Sequence, residues 1–322
     1  MGAYLSIVSP MFNEESIIGE FIRSVQKTLE NFDREWELIV VDDGSCDRSF
    51  ECAREAIGSD TRIKILQLQS HYGRGRALRE GFKAASGKYI ITIESDLSWK
   101  SSDILKVLAE LEKGDADIIL VSPYTFGGKI RNVPILRHII SRLGNRILGA
   151  AFPGSFRMVT QMFRGYRREV IDSLMLESND KEIHLEILSK ALAMGFCARE
   201  IPGELCKRKG GKSKLKLSHT IQTHLLFSFL ERPFLLFGLL GVLFFFVGIG
   251  LGTYFIVLWQ KSALNPDRPL MTLFIIMIIA GVQMFSFGLL GIMLVNLRRE
   301  ILKMQGIIKS QSSPAKLRET PE

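Results

Sequence analysis

Two long stretches near the C-terminal end of the sequence contain no charged residue, and they limit the possible folds more than any other feature. They are residues 233–259 and 269–297. Each is longer than the roughly 20 residues that an α-helix needs to cross the apolar core of a bilayer. A helix buried in a soluble protein is the alternative, but two such stretches in succession favour two spans. The sequence therefore predicts a transmembrane hairpin over residues 233–298.

Positive charges lie on one side of the predicted hairpin. They cluster before the first span and after the second, at Lys207, Arg208, Lys209, Lys212, Lys214, Lys216, Arg298, Arg299 and Lys303. The loop between the spans has only Lys261 and Arg268, together with Asp267. Because positive residues favour the cytoplasmic side, we predict an integral membrane protein whose soluble part and both termini are cytoplasmic.

The remaining segments define three further regions. Residues 1–215 are long enough for one soluble α/β domain. In residues 216–232, apolar side chains recur at helical spacing beside the first span, which predicts an amphipathic helix at the membrane interface. Residues 299–322 are predicted to form a basic cytoplasmic tail, which is disordered from Gln311 onwards. Glycines within both spans would allow close helix packing, and with it a homo-oligomer.

The net charge of +8 raises the question of nucleic-acid binding. Because the positive residues concentrate beside the spans, where they set topology and attract anionic lipid, we predict a membrane partner and no nucleic acid. The four cysteines lack the C-x-x-C spacing of metal sites, and all lie in the part predicted to be cytoplasmic. We therefore expect reduced thiols without metal.

Short apolar runs alternate with helical patterns through the soluble part of the chain. The apolar runs are residues 5–9, 36–41, 63–68, 89–94, 118–121, 162–166 and 196–201. The helical patterns are residues 15–32, 47–57, 75–85, 101–113, 134–151, 168–175 and 181–194. Strands that alternate with helices predict an α/β fold with a mostly parallel sheet.

Two acids separated by one residue end the fourth apolar run. Glu94 and Asp96 follow Ile91-Thr92-Ile93, which reads as a parallel strand buried on both faces. Ligands of open α/β sheets bind beyond the carboxyl ends of such strands. Mg²⁺ commonly takes only one or two protein carboxylates and completes its shell with water and phosphate oxygens. The pair is a candidate site for a divalent cation that also holds a diphosphate, and a helix cap or solvated turn is the alternative.

Two more acidic turns are predicted at the same edge of the sheet. Pro10-Met11-Phe12-Asn13-Glu14 follows the first apolar run, and Asp42-Asp43-Gly44-Ser45 follows the second. Either turn alone could be a helix cap, since Asn13 and Ser45 are good capping residues. Together the three turns define a cleft whose carboxylates can accept hydrogen bonds from ribose hydroxyls and base N–H groups. The sequence thus predicts a nucleotide site.

These motifs resemble, in order, those of the family 2 glycosyltransferases. The matching segments are Ser9-Pro10-Met11-Phe12-Asn13-Glu14, Val41-Asp42-Asp43-Gly44-Ser45, Gly73-Arg74-Gly75, Glu94-Ser95-Asp96, Arg137 to Ser141, Phe163-Arg164-Gly165-Tyr166-Arg167-Arg168-Glu169-Val170 and Gly211-Lys212-Ser213-Lys214. The chain is similar in particular to the dolichol-phosphate mannose synthase branch, which includes polyprenyl-phosphate glucosyltransferases with two C-terminal spans. The resemblance covers nearly the whole chain up to Leu297.

The resemblance implies a GT-A fold and an inverting glycosyltransferase. A sugar would pass from a GDP- or UDP-sugar to a dolichyl or undecaprenyl phosphate, making a lipid-linked sugar donor for glycan or glycoprotein assembly. A phosphate nucleophile is already ionised near neutral pH. It therefore needs no general base, and a metal ion with arginines can stabilise the charge.

The family's functional residues carry over by position. The donor nucleotide would be held by Pro10, Phe12, Glu14, Asp42, Asp43, Glu94 and Ser95. Mg²⁺ or Mn²⁺ would be held by Asp96, with Glu94 and Ser98 as candidate further ligands. The acceptor phosphate would be bound by Arg137, Ser141, Arg208 and Lys214. Of these residues, Asp96, Arg137 and Arg208 would carry the catalysis.

The sequence departs from the family pattern at three places. The usual Asp-x-Asp-x-Gln is represented by Glu94, Asp96 and Ser98. An arginine common in the branch is Pro123 here, and the usual Asp-x-Thr-x-Gly-Phe begins with Met158. One acceptor contact and one acid are missing from the pattern, and Lys129 or Arg131 are candidates to replace the contact.

Two alternative functions stay open. A hydroxyl-directed family 2 polysaccharide glycosyltransferase would need a general base, and the nearest acidic cluster is Asn179-Asp180-Lys181-Glu182. A catalytically inactive scaffold would keep the fold and lose the chemistry. Turnover of a nucleotide sugar with a polyprenyl phosphate separates the three hypotheses.

Overall fold

The computed structural model describes residues 2–131, 156–206, 234–261 and 269–312, together with residues 141, 142, 144–146, 149, 152 and 154. The described residues up to Cys206 belong to one compact unit, and residues 234–301 belong to a second. The predicted interfacial helix at residues 216–232 lies outside the described residues. Of the predicted helix at residues 134–151, only scattered positions are described, and these are helical.

The first unit alternates strands and helices, as predicted. Its strands are β1 (Leu5–Met11), β2 (Trp36–Asp42), β3 (Ile63–Gln67), β4 (Tyr89–Thr92), β5 (Ile118–Ser122), β6 (Lys129–Arg131), β7 (Arg164–Arg167), β8 (Ala198–Pro202) and β9 (Glu204–Cys206). Its helices are α1 (Ile18–Thr28), α2 (Ser49–Ile57), α3 (Arg74–Ala84), α4 (Asp103–Glu112), α5 (Arg168–Ser173) and α6 (Ile183–Ala193). Strands β6 and β9 were not predicted, because three residues are too few to show an apolar period.

Seven strands form one mostly parallel sheet in the order β3-β2-β1-β4-β7-β5-β8. The predicted α/β fold class is therefore confirmed. Strand β7 is the exception, because it lies antiparallel between β4 and β5 and separates two strands that are consecutive in the sequence. Strands β6 and β9 pair in a separate parallel ribbon.

The central strands are buried on both faces, which explains their continuous apolar sequences. Every residue of β2 and β4 is buried. On one face α3 packs so closely that a Cβ on Gly81 would collide with Val8. On the other face, Phe21 and Ile22 of α1 belong to the main apolar core. This packing fixes the strand ends that form the site.

Glu37 is a buried carboxylate within β2, at 5% exposure. It accepts hydrogen bonds from Ser6 Oγ at 2.7 Å, Ser86 N at 2.6 Å and Lys64 Nζ at 2.8 Å. Burial raises the pKa of Glu37, but the hydrogen bonds from Lys64, Ser6 and Ser86 outweigh it and lower this pKa to about 2. A lowered pKa stabilises the folded state above the ordinary value of 4.5, and this stabilisation is lost as the pH falls towards 2.

Replacing Glu37→Gln is expected to lower the free energy of unfolding by roughly 2 kcal/mol at pH 7. This value is smaller than the full pKa shift would give, because Lys64, one of the hydrogen-bond donors, is half exposed. The difference from the wild type should shrink as the pH falls from 4.5 towards 2. Thermal midpoints in detergent across this range test the expectation. Glu55→Gln, at a 72% exposed side chain, is the control and should change little. A destabilisation by Glu37→Gln that is independent of pH would contradict the assignment.

The second unit contains one long apolar helix and the greater part of another. A π-helical turn (Phe234–Gly238) leads into α7 (Leu239–Gln260), and α8 covers Pro269–Ser312. The segments Leu239–Gln260 and Pro269–Arg298 are long and apolar enough to cross a membrane. A core helix of a soluble protein would be mostly buried, whereas only 17% and 11% of their most apolar windows are buried. The protein is therefore a membrane protein with two candidate spans.

Small residues bring α7 against α8. A Cβ on Gly241 would lie 2.7 Å from Phe285 N and 2.8 Å from Gly281 O. These glycines thus serve the close approach of the two helices within one chain. Self-association through the same helices stays a prediction.

Helix α8 continues through residues 299–312 and so includes the first part of the predicted basic tail. The apolar residues Ile301, Met304 and Ile308 keep a helical spacing there. The predicted tail beyond residue 312 lies outside the described residues.

Candidate active site

Three strand-end turns meet at one edge of the large sheet. Strands β1, β2 and β4 are parallel, and Met11 is in register with Asp42 while Val8 is in register with Thr92. Asp43 N donates to Met11 O at 2.9 Å, and Ser95 Oγ donates to Pro10 O at 3.2 Å. The structure therefore brings together the three segments that the sequence assigns to a nucleotide site.

Asp42 is fully buried at the end of β2. Its Oδ1 accepts from Ser45 N at 3.0 Å and Ser45 Oγ at 2.5 Å, and its Oδ2 accepts from Gln67 Nε2 at 3.3 Å. A carboxylate has about four acceptor positions, so these bonds leave capacity for one more donor. Gly44 makes the turn possible, because it adopts a φ of +68° and a Cβ there would collide with Ser70.

Asp43 is 2% exposed and holds the loop that precedes α3. Its Oδ1 accepts from Tyr72 N at 2.9 Å, and its Oδ2 accepts from Gly73 N at 2.9 Å and lies 2.8 Å from His71 Nδ1. Three of its roughly four acceptor positions are thus used within the protein, and its contact with the nucleotide stays a prediction. Asp43 positions the loop.

Two aromatic rings lie beside a cleft at the end of β2 and β3. The rings of Phe12 and His71 stack with centroids 3.8 Å apart and planes inclined by 16°. The cleft has a volume of about 550 Å³ and is lined by Gly44–Cys46 and Gln67–His71. Glu14, the remaining residue predicted from this turn, is 8% exposed, and its backbone N–H donates to Ser49 Oγ at 2.7 Å. Sequence reasoning missed His71, since nothing in its local pattern shows that it reaches Phe12.

The acidic turn after β4 has a strained and well-defined shape. Strand β4 ends at Thr92, two residues before the predicted end at Glu94. Leu97 has a φ of +54°, which is uncommon for a residue with a Cβ. Asp96 Oδ1 accepts from Ser98 N at 3.0 Å, so the backbone of Ser98 fixes the orientation of the Asp96 carboxylate.

Glu94 titrates near neutrality because of its surroundings. Burial, and then the nearby charge of Asp96, raise the pKa of Glu94 to about 7. Gln161 Nε2 donates to both carboxylate oxygens of Glu94, at 3.0 and 3.1 Å. Two carboxylates that disfavour each other's charge suit a divalent cation, which relieves the repulsion. Among the described residues, no group of three or more His, Cys, Asp or Glu side chains could hold a metal ion.

A buried arginine shapes the loop that precedes β7. Arg164 is fully buried and donates to the carbonyl oxygens of Gln161 at 2.8 Å, His184 at 2.7 Å and Val159. Burial lowers the pKa of Arg164. The arginine of the Phe163-Arg164-Gly165-Tyr166 motif therefore holds the loop that presents Gln161 to Glu94.

The half-buried carboxylate of Glu200 binds the backbone at Met158, one of the three departures from the family pattern. Glu200 Oε1 accepts from Met158 N at 2.7 Å and from Arg157 N at 2.9 Å, and Met158 itself is 5% exposed. Burial raises the pKa of Glu200. At the departure at Pro123, the guanidinium of Arg131 pairs with Glu204 and Lys129 is exposed. The replacement of the missing acceptor contact by either residue stays a prediction.

Ser141 is connected to the acidic turn through Asn145. Asn145 Nδ2 donates to Ser141 O at 3.0 Å, and Asn145 Oδ1 accepts from Val159 N at 2.9 Å and Thr160 N at 3.2 Å. The next residue is Gln161, the partner of Glu94. The predicted acceptor residues Arg137, Arg208 and Lys214 lie outside the described residues.

The β6–β9 ribbon lies directly against the acidic turn. Cys206 N donates to Ser98 O at 2.8 Å, and Trp99 forms an isolated bridge with Leu205. Glu204 pairs with Lys100 at 2.5 Å and with Arg131. Arg131 and Cys206 are in register at the ends of the two strands. The chain segments that carry Arg137 and Arg208 thus begin side by side, next to the candidate metal site.

The Gly73-Arg74-Gly75 motif serves packing. Gly73 has a φ of +104°, and a Cβ on Gly73 or on Gly75 would lie 2.5 Å from Asn179 O or Ser178 O, respectively. Arg76 N donates to Asn179 O at 3.0 Å. The two glycines therefore let the start of α3 touch the loop that contains the acidic cluster Asn179–Glu182.

Replacing Gly75→Ala is expected to destabilise the first unit by about 1–3 kcal/mol, because the new methyl group would meet backbone atoms of Ser178 and Asn179 that cannot move freely. Gly19→Ala is the matched control within a helix, since its nearest neighbours are the flexible end of Arg23 at 3.4 Å. The control should be neutral or slightly stabilising. Thermal midpoints measure both variants, and equal midpoints would contradict this role of Gly75.

A family model described as glycosyl transferase family 2 matches residues 6–175, more than half of the chain. The protein belongs to glycosyltransferase family 2. A dodecaprenyl-phosphate galacturonate synthase of Rhizobium johnstonii is 28% identical over 308 residues, which cover 90% of this chain and 87% of that protein. An undecaprenyl-phosphate 4-deoxy-4-formamido-L-arabinose transferase of Salmonella choleraesuis is 29% identical over 294 residues, which cover 89% and 86%.

Solved structures share the fold of the first unit. Glucosyl-3-phosphoglycerate synthase from Mycobacterium tuberculosis in complex with Mg²⁺ and uridine diphosphate has a TM-score of 0.54 and 19% identity, over 70% of this chain and 79% of that one. The same enzyme with Mn²⁺, uridine diphosphate and phosphoglyceric acid has a TM-score of 0.54 and 20% identity, over 70% and 78%. The predicted GT-A fold is confirmed.

Proposed function

We propose that this enzyme transfers a sugar, with inversion, from a GDP- or UDP-sugar to a polyprenyl phosphate on the cytoplasmic side of a membrane. Two relatives match nearly the whole chain. One is named as a dodecaprenyl-phosphate galacturonate synthase, and the other as an undecaprenyl-phosphate 4-deoxy-4-formamido-L-arabinose transferase. The observation that carries the acceptor assignment is the position of the β6–β9 ribbon, whose Cys206 N bonds Ser98 O beside Asp96. The two segments proposed to bind phosphate leave from this ribbon.

The donor nucleotide would bind across the first two turns. Asp42 keeps one acceptor position for a base N–H after its bonds to Ser45 and Gln67. The exposed side of the Phe12–His71 ring pair offers an aromatic surface next to the cleft. Pro10, Glu14 and Ser95 would line the path from the base towards the diphosphate.

The diphosphate would lie at the acidic turn. Asp96, with Glu94, would hold Mg²⁺ or Mn²⁺, and Ser98 is a candidate for a further contact. Such a cation neutralises charge on a departing nucleoside diphosphate. The bond from Ser98 N to Asp96 Oδ1 and the bonds from Gln161 Nε2 to Glu94 orient both carboxylates before any ligand arrives. Preorganised charges of this kind cost no reorganisation during the reaction.

The acceptor phosphate would be bound by Arg137, Ser141, Arg208 and Lys214. The β6–β9 ribbon ends at Arg131 and Cys206, which are in register. Arg137 is six residues beyond Arg131, and Arg208 is two residues beyond Cys206. Arginine binds phosphate through two parallel hydrogen bonds, which orients an anionic oxygen for attack. Since that oxygen is already ionised, the protein has only to position it against the anomeric carbon.

A panel of UDP- and GDP-sugars incubated with one polyprenyl phosphate tests the proposal and identifies the donor. We expect one donor to yield a lipid-linked sugar, with activity that disappears on addition of a chelator and returns with Mg²⁺ or Mn²⁺. A protein that yields no product with any donor would contradict the proposal and support the inactive scaffold.

A further inference from the structure

Phe126 is the most exposed large apolar side chain among the described residues, at 97% exposure. It lies in the loop Pro123–Gly128, which joins β5 to β6. Gly128 N donates to Thr125 O at 2.8 Å, and Gly127 has a φ of +89°. A Cβ on Gly128 would lie 2.6 Å from Pro123 O, so the two ends of the loop touch. This tight turn holds the Phe126 ring away from the protein.

Exposed cations flank the Phe126 loop. Lys129 follows it directly and is exposed, and Arg157 is exposed and donates from Nη1 to Tyr124 O at 3.0 Å. An aromatic ring with positive groups around it matches a membrane surface, where the ring enters the boundary between headgroups and acyl chains and the cations meet anionic headgroups. A surface for a protein partner would be expected to offer a broader apolar patch.

The loop also lies close to Cys206, through the pairing of β6 with β9. It leads into β6, which pairs with β9, and the residue after Cys206 begins the basic run that precedes α7. A strand rises about 3.3 Å per residue, so β6 separates the loop from the end of this ribbon by only about 10 Å. Phe126 is thus about one short strand away from Cys206, the last described residue before the basic run.

We propose that the Pro123–Gly128 loop is a second membrane contact, in which Phe126 inserts among the headgroups of an anionic bilayer and Lys129 and Arg157 bind their phosphates. The contact is independent of sugar transfer, and it requires only that the chain is in a membrane. It would hold the acidic turn near the surface at which a lipid phosphate is presented.

The test uses the full chain with its four cysteines replaced by serine and Phe126→Cys labelled with the polarity-sensitive dye NBD. The labelled protein is reconstituted into phosphatidylcholine vesicles with or without phosphatidylglycerol. We expect a blue-shifted emission that spin-labelled lipids quench, with stronger quenching when phosphatidylglycerol is present. Met175→Cys, at a residue that is 62% exposed, is the matched control and should keep the emission of a dye in water.

The dye reports contact with lipid whether or not the enzyme turns over, so its result is separate from that of the donor panel. A water-like emission at position 126 in both vesicle types would overturn the proposal and would leave a protein as the partner of the loop. Equal quenching at positions 126 and 175 would also overturn it, since the contact would not be specific to the loop.

Discussion

Replacing Asp96→Asn is expected to reduce sugar transfer by at least about a hundredfold and to remove the dependence of nucleotide binding on a divalent cation. The asparagine has nearly the same shape, and its Oδ1 can still accept the hydrogen bond from Ser98 N that shapes the turn. The fold should therefore be preserved, and the loss should reflect the missing negative charge. Turnover and metal-dependent nucleotide binding are the measurements.

Two companion variants make the Asp96 experiment specific. Asp172→Asn removes a carboxylate whose side chain is 59% exposed in α5, and it should leave activity unchanged. Glu94→Asp should be mild or activating, because it restores the residue common in the family. Near-normal turnover in Asp96→Asn would show that this residue is not the principal metal ligand.

Replacing Arg208→Lys is expected to raise the KM for the polyprenyl phosphate about tenfold and to reduce turnover, with almost no change in donor affinity. Lysine keeps the positive charge but loses the two parallel hydrogen bonds of the guanidinium group. Because Arg208 follows the β6–β9 ribbon by two residues, we expect it to act on the acceptor side of the site. Initial rates at varied acceptor and varied donor concentrations separate the two constants.

The matched control for Arg208 lies in the same basic run. Lys216→Arg also exchanges one cation for the other, but we expect little effect on the acceptor KM or on turnover. A positive charge at this position serves to orient the span and to attract anionic lipid, and arginine keeps that charge. Equal effects of the two variants would show that the run acts only through its net charge. A loss of donor binding in Arg208→Lys would contradict the assignment of this arginine to the acceptor phosphate.

The parallel half of the sheet could be predicted from the sequence because its strands are buried on both faces and alternate with amphipathic helices. Strands β1, β2 and β4 show this in their continuous apolar runs. The place of β7 could not be predicted, since an antiparallel strand inserted between β4 and β5 depends on long-range pairing that leaves no local pattern. The β6–β9 ribbon was missed because three residues in each strand are too few to show an apolar period.

The candidate site, like the sheet, could be predicted only in part. The convergence of Pro10, Asp42 and Ser95 follows from the common direction of parallel strands, so motif positions were enough to place them together. The different partners of Asp42 and Asp43 could not be predicted, because two adjacent acids carry the same chemical group and their partners depend on how the loops pack. Their hydrogen-bond partners, Ser45 for one and the loop of His71–Gly73 for the other, come from different distances along the chain.

The central claim is that the nucleophile is a lipid phosphate, and comparing two acceptors tests it most directly. The purified protein is given the donor selected from the panel, Mg²⁺ or Mn²⁺, and either a polyprenyl phosphate or the matching polyprenol, and the lipid product is analysed by mass spectrometry. We predict that one sugar is added to the phosphate, with inverted anomeric configuration, and that the alcohol is not used. Sugar attached to the alcohol, or donor hydrolysis without any lipid product, would contradict the account.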